Sequence, residues 1–167
     1  MKLAVSIKKY DKNLPKYFES EKKFLTKHFG KNFQIHHIGS SAVPGLGGKN
    51  VVDVQLLSPD KKTAISAMKK LIAIRYKQLK EGGDKYRIAF YKDKKGIHFH
   101  LHLMWKTVGK YKAHLIFRDY LRKHPEEAEN YFILKKKWAK EAGAQRRKYT
   151  ELKTSYVNEV LKKAKKR

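Results

Sequence analysis

Three histidines two residues apart, His98, His100 and His102, stand in the run IHFHLHLM, and a strand there projects all three to one side and Phe99, Leu101 and Leu103 to the other. Imidazoles gathered on one face can bind a divalent metal, contact phosphate or exchange protons near neutral pH. Neighbouring histidines on one strand seldom converge on a single ion, which favours one or two of them working beside a carboxylate. The run VVDVQLL offers that carboxylate: alternation sets Asp53 and Gln55 on one face and Val52, Val54 and Leu56 on the other. A carboxylate inside an apolar strand is costly to bury without a cation, a metal or hydrogen-bond donors; a salt bridge to a nearby lysine is the plainer alternative. Just before Asp53 lies HIGSSAVPGLGGK, where Gly39, Ser40 and Ser41 follow a strand and can offer backbone N–H groups and hydroxyls to a phosphate. Such a loop is also an ordinary turn. Its placement, with Gly39-Ser40 followed by Asp53 on the next strand, is what singles it out.

Two further groups belong with these. His114, Arg118 and Arg122 fall at i, i+4 and i+8 of HLIFRDYLRKH and share one helix face, and arginine is suited to bidentate phosphate recognition. The reading has both guanidiniums facing the cleft with Phe117 and Leu121 in the core; Asp119, between them, is placed to order one by a salt bridge or to act itself. A solvated basic stripe is the alternative. Tyr149 and Lys153 form a similar i, i+4 pair, whereas His36 and His37 point to opposite faces of their strand, so at most one joins a site.

The elements that must position these groups follow from periodicity and punctuation. A helix is expected over 11–29, strands over 34–38 and 51–57 around a loop with room for one helical turn, and a helix over 60–74. EGGD then breaks the chain before strands over 86–91 and 97–104, joined by the hairpin turn KDKKG. Beyond Gly109 the pattern is helical throughout, over 113–123, 125–142 and 147–163. The order predicts an α+β domain, a small mixed sheet covered on one face by helices, formed as a single unit over 1–167.

Length and charge bound the function. The 167 residues suffice for one sizeable core, and 41 Lys+Arg against 15 Asp+Glu leave +26, which argues for polyanionic company such as nucleotides, nucleic acid, anionic lipid or an acidic protein. The lysine excess is spread along the whole chain, so composition bias or solubility explains it as well as binding does. Zero cysteines exclude disulfides, thiolate zinc, iron–sulfur clusters and a cysteine nucleophile. No apolar run approaches the ~18 residues that cross a bilayer, and the N-terminal apolar stretch is too short for a signal peptide, so a cytoplasmic protein is expected.

The motifs HHIGSSAVPGLGGKNVVDV, HLHLM and HLIFRDYLRKHPEEAENYFILKK, with YTELKTSYVNEVL near the end, resemble the GrpB (UPF0157) family across about residues 8–162. That family is grouped with the polymerase-β-like nucleotidyltransferases. The resemblance implies a sheet flanked by helices and a transferase moving an NMP group from a nucleoside triphosphate to an acceptor. It also implies a Gly39-Ser40 loop gripping the triphosphate, Ser40 and Lys49 on phosphate, and Asp53 as first metal carboxylate. The superfamily pattern wants a second carboxylate where Gln55 stands and a third where HFHLHL runs. The expectation is therefore a divalent ion, Mg, Mn or Zn, held by Asp53 and Gln55 with His98, His100 or His102, and with His100 and His102 joining Asp53 in catalysis. The alternative is a non-catalytic member binding a nucleotide, another phosphorylated small molecule or RNA.

Overall fold

The computed structural model describes residues 5–80 and 83–165. Pro15 opens α1 (Leu14–Phe29) at a position where its missing N–H costs nothing, and Gly30 ends it. β1 (Gln34–Ile38) leads through a 3-10 turn at Ser40–Ala42 to β2 (Val51–Ser58). Asp60 caps α2 (Lys61–Ala73) by accepting the Thr63 N–H at 2.8 Å. A two-residue strand, β3 (Lys77–Gln78), precedes the hairpin of β4 (Arg87–Lys94) and β5 (Ile97–Trp105). Lys95 and Gly96 both have positive φ, at 51° and 76°, as a two-residue turn of that hand requires. Three helices close the chain: α3 (Lys112–Lys123), α4 (Pro125–Ala142) and α5 (Arg146–Lys165).

The sheet order is β1-β2-β5-β4-β3, antiparallel except for the parallel pair β2 and β5. Val52, Val54, Leu56, Phe99, Leu101 and Leu103 project to one face and are buried beneath α1 and α2, as alternation predicts. The expectation of helices on one face only is corrected. A second apolar cluster joins Val43 and Leu46 of the loop to Leu121, Tyr131 and Trp138 of the C-terminal helices, and those helices cover part of the polar face.

The first core buries an ion pair. Glu21 of α1 is fully buried, takes a hydrogen bond from Lys92 of β4 and another from Tyr76 at 3.0 Å, and has Lys94 3.5 Å from its second oxygen. Removing one member of such a pair strands a charge without solvent. Lys92→Ala is expected to destabilise the fold by about 3 kcal/mol, read by urea unfolding, with Lys92→Met combined with Glu21→Gln recovering most of the loss; an unchanged midpoint for Lys92→Ala would remove this pair from the stability of the core.

Candidate active cleft

The parallel register places Asp53 opposite His100 and Gln55 opposite His102. His100 Nδ1 lies 3.8 Å and His102 Nε2 3.9 Å from the same Asp53 oxygen, and the Asp53 side chain keeps 26% of its surface exposed. Burial alone would push this carboxyl up, but the facing His102, then His100 and Lys153, outweigh it and hold the pKa below its usual value. The His100 imidazole is pushed down by burial against the opposing pull of Asp53.

Gly39 makes the close approach of the loop to Asp53 workable. Its φ is +69°, and a Cβ there would sit 2.5 Å from the Asp53 carboxylate. Ala42 and Val43 spend their N–H groups closing the turn onto the Gly39 and Ser40 carbonyls. Ser41 is buried, accepts the Asp53 N–H at 3.2 Å and meets His37 Nε2 at 2.9 Å, so its hydroxyl ties the loop to both strands. Ser40 lines the cleft beside Asp53, His100 and His102. Lys49 and Lys153 complete the rim of this cavity of about 200 Å³, with Lys49 over the Tyr149 ring.

Several predicted groups stand elsewhere. Gln55 is fully buried, and its amide contacts the Tyr111 carbonyl at 3.2 Å and His114 Nδ1 at 3.3 Å; it anchors the start of α3 and does not face the cleft. His98 pairs with Asp93 at 2.5 Å beyond the cleft lining. Arg118 donates to the His37 carbonyl at 2.9 Å and to Asp119, and Arg122 donates to the Ala42 carbonyl at 2.8 Å. Both arginines brace the ends of the serine loop from behind, and neither lines the cleft. His37 faces the core and stacks on Phe18, while His36 lies on the side of Arg118. Among the described residues no three His, Cys, Asp or Glu side chains are arranged to hold a metal ion. The donors here are one carboxylate and two imidazoles, with Gln55 turned away, so a two-metal centre, which needs several carboxylates, does not fit them.

Sequence reasoning missed Lys135. It is 2% exposed on α4, contacts Ser40 Oγ at 2.8 Å and the Gly47 carbonyl, and lies over the Tyr131 ring. A signal existed: Tyr131, Lys135, Trp138 and Ala142 share the buried helix stripe, so Lys135 is a cation written into an apolar face.

The fold is nucleotidyltransferase-like. Cid1 poly(U) polymerase bound to MgATP matches with a TM-score of 0.55 at 16% identity, covering 80% of this chain and 44% of that one. The sequence pattern described as GrpB protein matches residues 4–163, and the chain belongs to the GrpB family. It is 29% identical to UPF0157 protein BH1888 of Halalkalibacterium halodurans, over 96% of this chain and 83% of that protein. It is 31% identical to UPF0157 protein YqkA of Bacillus subtilis over 98% of this chain, spanning about half of that longer protein (48%). The crystal structure of conserved protein GrpB from Enterococcus faecalis matches with a TM-score of 0.82 at 26% identity, covering 95% and 96% of the two chains.

Two predictions follow from this geometry. Arg118→Ala is expected to cost about 1.5–3 kcal/mol, the worth of hydrogen bonds from a charged donor, and to speed amide exchange at Asp53 and Val43; unchanged exchange would deny that the arginine holds the loop. Burial lowers the pKa of His37 and of His114 from 6.5 to about 4, so the folded state refuses protons that the unfolded chain accepts. Their contribution is complete above pH 6.5 and is lost as pH falls toward about 4, which urea midpoints taken across that window would show as a steady decline.

Proposed function

We propose that the cleft binds a nucleoside triphosphate or a related phosphorylated small molecule, with phosphates against Ser40, Lys49 and Lys153. One observation carries this reading: Lys49, Lys135 and Lys153 converge with Ser40 around a single carboxylate, in a fold shared with a polymerase solved with MgATP. A pocket with Lys49 and Lys153 on its rim attracts phosphate by its positive charge. Such a ligand sets the protein's work in the cytoplasm, where nucleotides are held. RNA is the alternative polyanion, and its binding would follow the diffuse surface charge and not the serine loop.

Nucleotidyl transfer is the second reading, favoured by Asp53, kept ionised with two imidazoles within 4 Å of one oxygen. In that reaction an acceptor oxygen bonds to the α-phosphorus, the bond from that phosphorus to the bridging oxygen breaks, and pyrophosphate leaves. The acceptor's proton passes to Asp53 or His100. A Mg, Mn or Zn ion belongs to this reading only in company with the ligand, whose phosphate oxygens would supply the donors that one carboxylate lacks.

Calorimetric titration with ATP, with and without divalent ion, tests the binding. Affinity is expected to fall with salt, and Ser40→Ala is expected to weaken it about tenfold, the worth of one hydrogen bond to a charged group, while Lys69→Ala on the remote α2 changes it little. Equal losses in the two variants would assign the affinity to bulk charge. Pyrophosphate release that depends on an added acceptor and disappears in Asp53→Asn would establish transfer; its absence with ATP bound leaves the binding reading.

A further inference from the structure

Among the described residues two lysines are buried, and they are partnered differently. Lys92 meets the Glu21 carboxylate, whereas among the described residues no carboxylate lies within ion-pair distance of Lys135. The acceptors of Lys135 are neutral: the Gly47 carbonyl and the Ser40 hydroxyl at 2.8 Å. An ammonium desolvated with only neutral acceptors is the costlier of its two states. Burial, with the field of Lys153 and against that of Asp53, lowers the Lys135 pKa to about 7. The amine form has two N–H donors and one lone pair. With one N–H on Gly47, the lone pair can accept the Ser40 O–H.

We propose that Ser40 is a nucleophile and Lys135 its general base, and that the pair transfers a group from a bound phosphoanhydride onto the serine. The inference rests on the reading that the cleft takes a nucleoside triphosphate. Ser40 Oγ forms a bond to the α-phosphorus, the bond from that phosphorus to its bridging oxygen breaks, and pyrophosphate leaves with the electron pair. The hydroxyl proton moves to Lys135 Nζ. Lys49 and Lys153, on the rim, face the charge that gathers on the phosphates. The charged and titratable groups around Lys135 come from every wall. Tyr131 lies on its own helix and Tyr149 and Lys153 are on α5; Asp53 is on β2, and His100 and His102 are on β5. The Asp53 charge works against the amine and Lys153 works for it.

The test uses two probes on the full chain. A fluorophosphonate ester needs no nucleotide pocket and labels activated serines. It is expected to modify Ser40, at a rate that rises with pH through about 7, and not to react in Ser40→Ala. Lys135→Met and Lys135→Arg, checked for folding by circular dichroism, are each expected to slow labelling at least tenfold; Arg keeps the cation but cannot serve as a base. ATP is expected to add the mass of one AMP at Ser40, mapped by peptide mass spectrometry, with release of pyrophosphate. No labelling of Ser40, or equal rates in wild type and Lys135→Arg, overturns the pair and makes Lys135 a loop clamp. ATP that binds by calorimetry without marking Ser40 overturns the transfer while the binding reading stands. Fluorophosphonate labelling without any ATP binding supports the serine–lysine pair and sinks the nucleotide reading instead.

Discussion

The parallel pairing of β2 with β5 at the centre of the sheet is the constraint on which the site depends. Parallel neighbours cannot be joined by a tight turn, so the chain leaves β2 through α2, passes β3 and β4, and returns as β5. What sets the register is apolar. Phe99, Leu101 and Leu103 must meet the face that Val52, Val54 and Leu56 present, and each such side chain contributes roughly 1.5–3 kcal/mol on burial. The contacts of His100 and His102 with Asp53, at 3.8 and 3.9 Å and partly exposed, are worth no more than about 1 kcal/mol. The histidines are therefore delivered to Asp53 by the core on the opposite face. A one-residue slip would turn the same imidazoles into the core.

This division explains what could be read from the sequence. Strand alternation settles which side chains share a face, and it placed Asp53 with His100 and His102. The helices and the hairpin followed from apolar spacing and from Pro, Gly and Asp at their ends, with boundaries within a few residues. Pairwise side-chain choice was not readable. Gln55 shares the face of Asp53, but only the arrival of α3 over that face decides that its amide meets Tyr111 and His114. Arg118 and Arg122 share a helix face as predicted, yet they donate to the His37 and Ala42 carbonyls. Spacing within one element cannot report the distance to another. The two-residue β3 is too short for any period to register.

The serine loop shows how thinly such a site is held in place. Arg118 and Arg122 grip its carbonyls from behind, Ser41 pins it to β2, and the Lys8 backbone pairs with Gly48 at 2.7 and 3.0 Å. Two glycines admit what the clamps press together. A Cβ at Gly39 would meet the Asp53 carboxylate, and one at Gly47 would lie 2.2 Å from the Phe132 ring. With Ser41, Ala42 and Val43 committed to the turn and its anchors, Ser40 is the hydroxyl of the loop left facing the cleft.

Gln55 is buried away from the cleft, and its neutral amide brings no charge to the face it shares with Asp53. Asp53 is then the carboxylate of the cleft lining, set among Lys49, Lys135 and Lys153. Two of these lysines come from α4 and α5, the helices that also close over the polar face. Those helices thus supply cationic charge at a point where a metal-holding site would need anionic charge. Lys135, buried on α4 with no carboxylate within ion-pair distance among the described residues, is the lysine of this cleft whose pKa burial lowers, to about 7.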